Sequence, residues 1–294
     1  MQSSRTVGFV VAESKHNAAG LATDIQAFLS EHQYQILDED TLNRGQFGPL
    51  DAIVVLGGDG LMMRCANRYP NIPILGINFG KVGFLASVEQ RDWRTATQSF
   101  VAGEFEVQDG ATLAASLIRD DEVTDEGWAI NDVVIRSGSR MVDVQVYVDG
   151  HFVNTYPGDG MIVSTARGST AYCMAAGGPI LTGGVRGFTI VPISCHSPMR
   201  TPLVVAEGTE IELLLTNQHH AQLIIDGRPT TQLRQNDVVH VRKGENLFRL
   251  IVFETQGFFE AMRTKFNYQI RPDSTPTRRP RLHKVGSATQ EPFR

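Results

Sequence analysis

The sequence predicts an α/β plus β protein, with an N-terminal parallel-sheet α/β domain followed by a C-terminal β-rich, sandwich-like domain. Two observations predict it. Before about residue 105, short wholly apolar runs alternate with segments of helical spacing. That is the pattern of strands covered on both faces by helices. Beyond it strand-like runs dominate, several alternating strictly, with Asp-Gly and Lys-Gly dipeptides between them. The elements follow in order. Thr6–Val11 is β-branched and apolar and reads as a buried strand. Leu21, Ile25, Phe28 and Leu29 then recur at helical spacing, so a helix is expected over 18–30. Ala52–Leu56 is a second buried strand ending in a glycine-rich turn, with a helix at 61–68 and a third strand at 72–77.

In the second half, strands are expected at 111–118, 129–135, 142–148, 161–163, 188–191, 210–215, 222–225, 237–241 and 247–253. One helix interrupts them near 169–176, and a short closing helix is expected at 258–266. Asp149-Gly150, Asp226-Gly227 and Lys243-Gly244 mark turns. The domain division expected is 1–105 completed by 255–270, then 106–254. Residues 271–294 carry Pro272, Pro276, Pro280 and Pro292 among basic residues with almost no apolar content, and read as a disordered tail.

Composition narrows the function classes. Across 294 residues, 27 Lys and Arg stand against 32 Asp and Glu, for a net charge of −5. A mildly acidic chain is a poor non-specific ligand for nucleic acid or an anionic membrane. No run of 18 or more apolar residues occurs. Met1–Arg5 leads straight into a strand without the apolar stretch of a signal peptide. Cys65, Cys173 and Cys195 are odd in number and far apart, as expected of reduced thiols in a cytoplasmic protein.

The chemistry starts at Gly57-Gly58-Asp59-Gly60. No G-x-x-x-x-G-K-[ST] run occurs, so this is not a P-loop. Met63 stands where a dinucleotide fingerprint needs its third glycine. The turn also places a carboxylate where a pyrophosphate would have to sit, and the two would repel. The alternative is that the carboxylate is there for chemistry. Amides of Gly57 and Gly58 at a helix start would cradle a phosphate while Asp59 accepts a proton from a hydroxyl. Phosphoryl transfer to an alcohol needs that pairing. Taken alone, the turn also fits a strand-to-helix connection in which Asp59 is only an N-cap.

Three further stretches follow: Gly76-Ile77-Asn78-Phe79-Gly80-Lys81-Val82-Gly83-Phe84-Leu85, Ala129–Ile135, and Gly158-Asp159-Gly160 running through Ser164-Thr165-Ala166-Arg167-Gly168-Ser169-Thr170-Ala171-Tyr172 to Leu181. In this order, over about residues 50–230, the chain resembles the NAD kinase family. The resemblance implies transfer of the γ-phosphoryl group of ATP to the adenosine-ribose 2′-hydroxyl of NAD, with a divalent metal ion such as magnesium accompanying the ATP. It also implies a homo-oligomer, dimer or tetramer. Carried over by residue, it makes Asp59 the proton acceptor, Gly60 a dinucleotide contact, Arg64 a phosphate contact and Phe84 a lining of the substrate cleft. Asn131 and Asp132 become the pair that holds adenosine, the carboxylate bonding ribose hydroxyls. Thr170, Ala171 and Tyr172, continuing through Cys173, Met174 and Ala175, become the segment that wraps the ends of the dinucleotide. Asp159 is expected to reach the carboxamide or a neighbouring subunit, and Arg140 and Arg228 to lie near the bound dinucleotide. Residue chemistry agrees: Asn131 can donate and accept at an adenine edge, and Tyr172 offers a stacking face. Each of these residues alone has a plainer reading, as turn, core or solvated charge; their joint order is what singles them out.

The chain departs from the family pattern in places. Leu61 follows the turn where Thr is usual, so a hydroxyl near the phosphate is lost. Ala166-Arg167 replaces Pro-Thr, Ala175 replaces Ser, and Arg228 replaces Gln. Two other classes compete. A lipid or sphingoid kinase shares Gly-Gly-Asp-Gly but continues with Gly-Thr-Gly-Asn, which is missing here. A dinucleotide sensor would bind without turnover.

Overall fold

The computed structural model describes residues 5–13, 15, 17–45, 47–79, 85, 88–182, 184–253 and 262. The expected helix at 258–266 (Met262 apart), the completing segment 255–270, the tail, and Phe84 lie outside these residues. Strands β1 (Arg5–Val11), β2 (Tyr34–Leu37), β3 (Ala52–Gly57) and β4 (Ile74–Asn78) form a parallel sheet in the order β2-β1-β3-β4, with a two-residue strand β5 (Val88–Glu89) beyond β4. Helices α1 (Ala18–Glu31) and α4 (Trp93–Ala102) cover one face, and α2 (Glu39–Arg44) and α3 (Asp59–Arg68) the other. Ala52–Gly57 is buried throughout, because each residue faces a helix on one side or the other. α1 buries Ala18, Ala22, Ile25 and Leu29, a spacing that puts all four on one stripe against the sheet.

The remaining strands are antiparallel. They are β6 (Glu106–Arg119), β7 (Glu122–Ala129), β8 (Asp132–Ser137), β9 (Val142–Val148), β10 (His151–Gly158), β11 (Gly160–Ser164), β12 (Gly187–Ile193), β13 (Leu203–Ala206), β14 (Ile211–Leu215), β15 (Ala221–Ile225), β16 (Arg228–Leu233) and β17 (Val238–Val252). One short helix, α5 (Tyr172–Ala175), interrupts them after a 3₁₀ turn at Gly168–Thr170. Two sheets result. The second sheet has the order β13-β12-β11-β8-β15-β16. It packs its inner face on β6, β9, β14 and β17 through a core of Leu113, Val133, Ile135, Val144, Met161, Phe188, Leu213, Leu223 and Val239. Each fully buried side chain of that size contributes roughly 1.5–3 kcal/mol.

β17 joins the two halves. Its first residues pair antiparallel with β14, its whole length pairs with β6, and Leu250 pairs parallel with Ile74 of β4. The parallel and antiparallel regions are therefore one hydrogen-bonded sheet. Two expectations need correction here. Lys243-Gly244 is not a turn between strands but lies at a register shift inside β17, where β6 supplies the partners on both sides. Residues 129–135 are not one strand: the chain leaves β7 at Ala129, breaks at Ile130-Asn131 and restarts as β8 at Asp132. β2, α2, β5, α4, β10, β13 and β16 are elements that the sequence reading did not place.

Candidate active site

Open α/β sheets bind ligands beyond the carboxyl ends of their strands, where the order reverses. Here that point lies between β1 and β3, and β3 ends in Gly57. Gly58 is extended and is the N-cap of α3, so Asp59 is the first helical residue rather than the cap. Leu61 and Met62 donate their amides to the Gly58 carbonyl at 2.9 and 3.2 Å, and Phe79 donates to the Gly57 carbonyl at 3.0 Å. The turn is thus shaped by main-chain bonds. The Asp59 carboxylate is half-buried and accepts the Leu85 amide at 3.3 Å. Arg64 is exposed on α3, and Gly60 is exposed with nothing near the place of a side chain. The Leu61 side chain folds back over Gly57, with a methyl 2.6 Å from where a Cβ would stand. An apolar branch therefore occupies the space where the usual threonine would offer a hydroxyl.

The break between β7 and β8 lies against the same helix. Asn131 donates through Nδ2 to the Met63 sulfur at 3.2 Å. Asp132 is only 4 % exposed. Burial, and after it the charge of Asp226, push its carboxyl up to about 7. Side chains from elsewhere fix this break. Asp226 accepts the amides of Ile130, Asn131 and Asp132 at 2.8, 2.7 and 3.2 Å, and Nδ2 of Asn67 at 3.3 Å. Thr165 donates its hydroxyl to the Ile130 carbonyl at 2.7 Å and accepts the Gly168 amide at 3.0 Å. The Ser164 hydroxyl donates to the Asn131 carbonyl at 3.1 Å. Gly168 sits so close that a Cβ would fall 2.1 Å from the Asn131 carbonyl oxygen. Ser169 holds the far side of the loop, its hydroxyl accepting the Leu181 amide at 2.9 Å.

Beyond this loop, Thr170–Ala175 lies over the outer face of the second sheet. Cys173 is fully buried among Val134, Ile162 and Val191, 3.2 Å from the Thr189 hydroxyl. Its side chain is spent on packing, and burial pushes its thiol up. Tyr172 is half-buried and its hydroxyl accepts from Arg136, whose guanidinium also stands 5.6 Å from the ring centre. Arg167, in the departure from Pro-Thr, stacks 4.9 Å over the Phe248 ring, and burial pulls its pKa down to about 10. Its long side chain thereby ties the loop to β17.

The expected residues fall into two groups. Gly57, Gly58, Asp59, Gly60, Arg64, Asn131 and Asp132 gather around α3. Arg228 begins β16, exposed, two residues past Asp226. Asp159 and Arg140 stand at the other end of β8: the Asp159 carbonyl accepts the Ser137 amide, and Arg140 is exposed in the following turn. That end is roughly 17 Å of extended strand from Asp132. The sequence reading missed Asp226, Thr165 and Arg136. Asp226 had one signal, its place at the head of an Asp-Gly turn, and that signal says nothing about which amides its carboxylate reaches.

The model of the ATP-NAD kinase N-terminal domain matches residues 46–105, and that of the ATP-NAD kinase C-terminal domain matches residues 130–253. The chain is 52% identical over 277 residues to an NAD kinase of Thermomicrobium roseum, covering 94% of this chain and 96% of the relative. It is 35% identical to an NAD kinase of Geobacter metallireducens, covering 74% and 79%. Among solved structures it is similar to an NAD kinase from Archaeoglobus fulgidus in complex with ATP, with a TM-score of 0.70 at 26% identity, covering 88% of this chain and 98% of the other. The fold also matches yeast NADH kinase complexed with NADH, with a TM-score of 0.80 at 18% identity, covering 94% and 90%.

Proposed function

This chain belongs to the NAD kinase family, and on that premise we propose how its residues divide the work. The enzyme is an NAD kinase: it transfers the γ-phosphoryl group of ATP to the adenosine-ribose 2′-hydroxyl of NAD and makes NADP. Asp59 accepts the proton of that hydroxyl as the oxygen attacks. The main chain of Gly57 and Gly58 and the first turn of α3 hold the phosphates, with Gly60 leaving room for the dinucleotide. Asn131 holds the adenine edge and the Asp132 carboxylate accepts from the ribose hydroxyls. Thr170–Ala175, with Tyr172 at its sheet-end margin, carries the rest of the dinucleotide. One observation carries the reading: Asp59 opens α3, and Asn131 is hydrogen-bonded to Met63 of that same helix. Base and acceptor loop therefore share one rigid element.

Among the described residues no three His, Cys, Asp or Glu side chains gather as a metal site. We take a divalent cation such as magnesium to accompany the triphosphate. When bound, it would supply neutralisation of the phosphate charge. We also place the protein in the cytoplasm as a homo-oligomer, dimer or tetramer. Three unpaired cysteines support the first. The exposed Arg140, far along β8 from its own Asp132, supports the second, since it is free to serve a neighbouring subunit's dinucleotide. Among the described residues no helix is long and apolar enough to cross a membrane.

The deciding experiment is Asp59→Asn, assayed for NADP formation with NAD, ATP and magnesium. Loss of turnover by about 10³-fold with an unchanged melting temperature is expected. Near-parental turnover would sink the assignment of the base. Supplying polyphosphate in place of ATP in the same assay reads the donor preference that Leu61 puts in question.

A further inference from the structure

Asp226 has no place in the reading above. It was visible in the sequence only as half of a turn dipeptide. It heads the tight turn between β15 and β16, at φ 47°, followed by Gly227 at φ 73°. From there its carboxylate turns back across the end of β8. Oδ1 accepts the amides of Asn131 and Asp132, and Oδ2 accepts the amide of Ile130 and Nδ2 of Asn67. Three consecutive amides at the break between β7 and β8 thus bond one carboxylate, and an unpaired buried amide costs about 1–3 kcal/mol. The turn is bonded in the other direction as well, since the Asp226 amide donates to the Asp132 carbonyl at 3.0 Å. Asn67 stands on α3, two turns beyond Asp59. One carboxylate therefore bonds both the helix that starts with Asp59 and the loop that holds Asn131 and Asp132.

We propose that Asp226 is a positioning residue for phosphoryl transfer, fixing the acceptor loop Ile130–Asp132 at a set distance from the helix that carries Asp59. The proposal rests on the reading that Asn131 and Asp132 hold the adenosine of NAD. A clamp of this kind acts on the acceptor and not on the donor. The 2′-hydroxyl must come within about 3 Å of the base, and a loop free to drift by an ångström misplaces it. Asp226 touches neither substrate in this role; it works through the peptide groups that present Asn131 and Asp132. It has a second effect on the same loop. The groups that act on the Asp132 carboxyl are Asp226 from the turn and the Cys173 thiol from α5, and the neutral Ser164 is its cross-strand neighbour on β11. Asp226 is the charged one among them.

The test uses the full-length enzyme and steady-state NADP formation, varying NAD and ATP separately between about pH 6 and 9. Asp226→Asn keeps the size of the side chain and tolerates the left-handed turn. The variant is expected to raise KM for NAD by about tenfold and to leave KM for ATP within about twofold. It should also move the acid limb of kcat/KM for NAD to lower pH, because Asp132 loses a neighbouring negative charge. An unchanged NAD KM in a folded variant overturns the proposal. So does a rise in both KM values with the acid limb unmoved, which is the mark of general loosening. Should Asp226→Asn fail to fold, Asn67→Ala decides. It removes only the strut from α3, and a rise of about threefold in NAD KM with ATP KM unchanged supports the clamp; no change in NAD KM overturns it. Asp132→Asn separates this inference from its premise. If that variant binds NAD normally, the assignment of Asp132 itself falls. If it binds NAD poorly while Asp226→Asn binds well, only the clamp falls.

Discussion

Gly57–Gly60 and Ile130–Asp132 meet at helix α3, but they are held in different ways. The glycine turn keeps its shape through amide-to-carbonyl bonds of its own chain, and the Asp59 carboxylate accepts the Leu85 amide. The acceptor loop is held by side chains from two other segments, Asp226 from one and the adjacent Ser164 and Thr165 from the other, with Gly168 pressed against it. The difference follows from what each has to do. A phosphate cradle is made of peptide groups, so bare backbone suffices and side chains would obstruct it. A loop that offers one particular amide and one particular carboxylate has to be fixed from outside, because a break between strands has no ladder of its own.

That contrast can be broken or sharpened by substitution. The largest effect on stability is expected at Asp132. Its carboxyl is pushed from the ordinary 3.8 up to about 7 by burial and then by Asp226. In the unfolded chain it ionises at its ordinary value, so between the two values the folded state holds the extra proton. The stabilisation is complete below about pH 4 and is lost as pH rises through about 7, a swing of up to ~4 kcal/mol. Asp132→Asn is thus expected to melt above the parent at about pH 8, with the gap closing towards pH 4, while KM for NAD rises. A gap that stays constant over a melting series across that range would contradict the burial argument. The next effect is Gly168→Ala. Its new methyl would meet the Asn131 carbonyl at 2.1 Å, so a loss of about 1–3 kcal/mol is expected, with a higher KM for NAD. Denaturant midpoints within error of the parent would show that the loop gives way freely. The smallest is Gly60→Ala. Nothing from outside its own helix lies within 4 Å of where a Cβ would stand and the residue is helical, so stability should hold or rise by less than about 1 kcal/mol. Turnover should nevertheless fall if the exposed backbone there meets the dinucleotide. A variant equally stable and equally active would remove Gly60 from the site.

The legible part of this molecule was the part governed by local pattern. Ala52–Leu56 announced a buried strand because each residue is apolar. Gly57-Gly58-Asp59-Gly60 announced a turn with a carboxylate because glycine and aspartate there have few other uses. The order of the later motifs placed Asn131 and Asp132 beside it by resemblance. The illegible part depended on partners far off in the chain. Asp226 reads as a turn residue until its carboxylate is seen to reach Ile130–Asp132. Arg167 reads as a loop cation until it is found stacked on Phe248. Lys243-Gly244 reads as a hairpin turn, because nothing local says that β6 continues to supply bonds on both sides of it.

The shared strand β17 has a consequence for the order of assembly. The parallel sheet near the N-terminus is synthesised early, and β5 covers the Ile77–Asn78 end of β4, yet the Ile74 end receives its neighbour only when Leu250 arrives. Until then β4 presents open hydrogen-bonding groups at that end, the kind of edge that recruits other chains. The nascent protein must carry this exposed edge through most of its translation, and a ribosome that stalls before residue 250 releases a chain primed to aggregate.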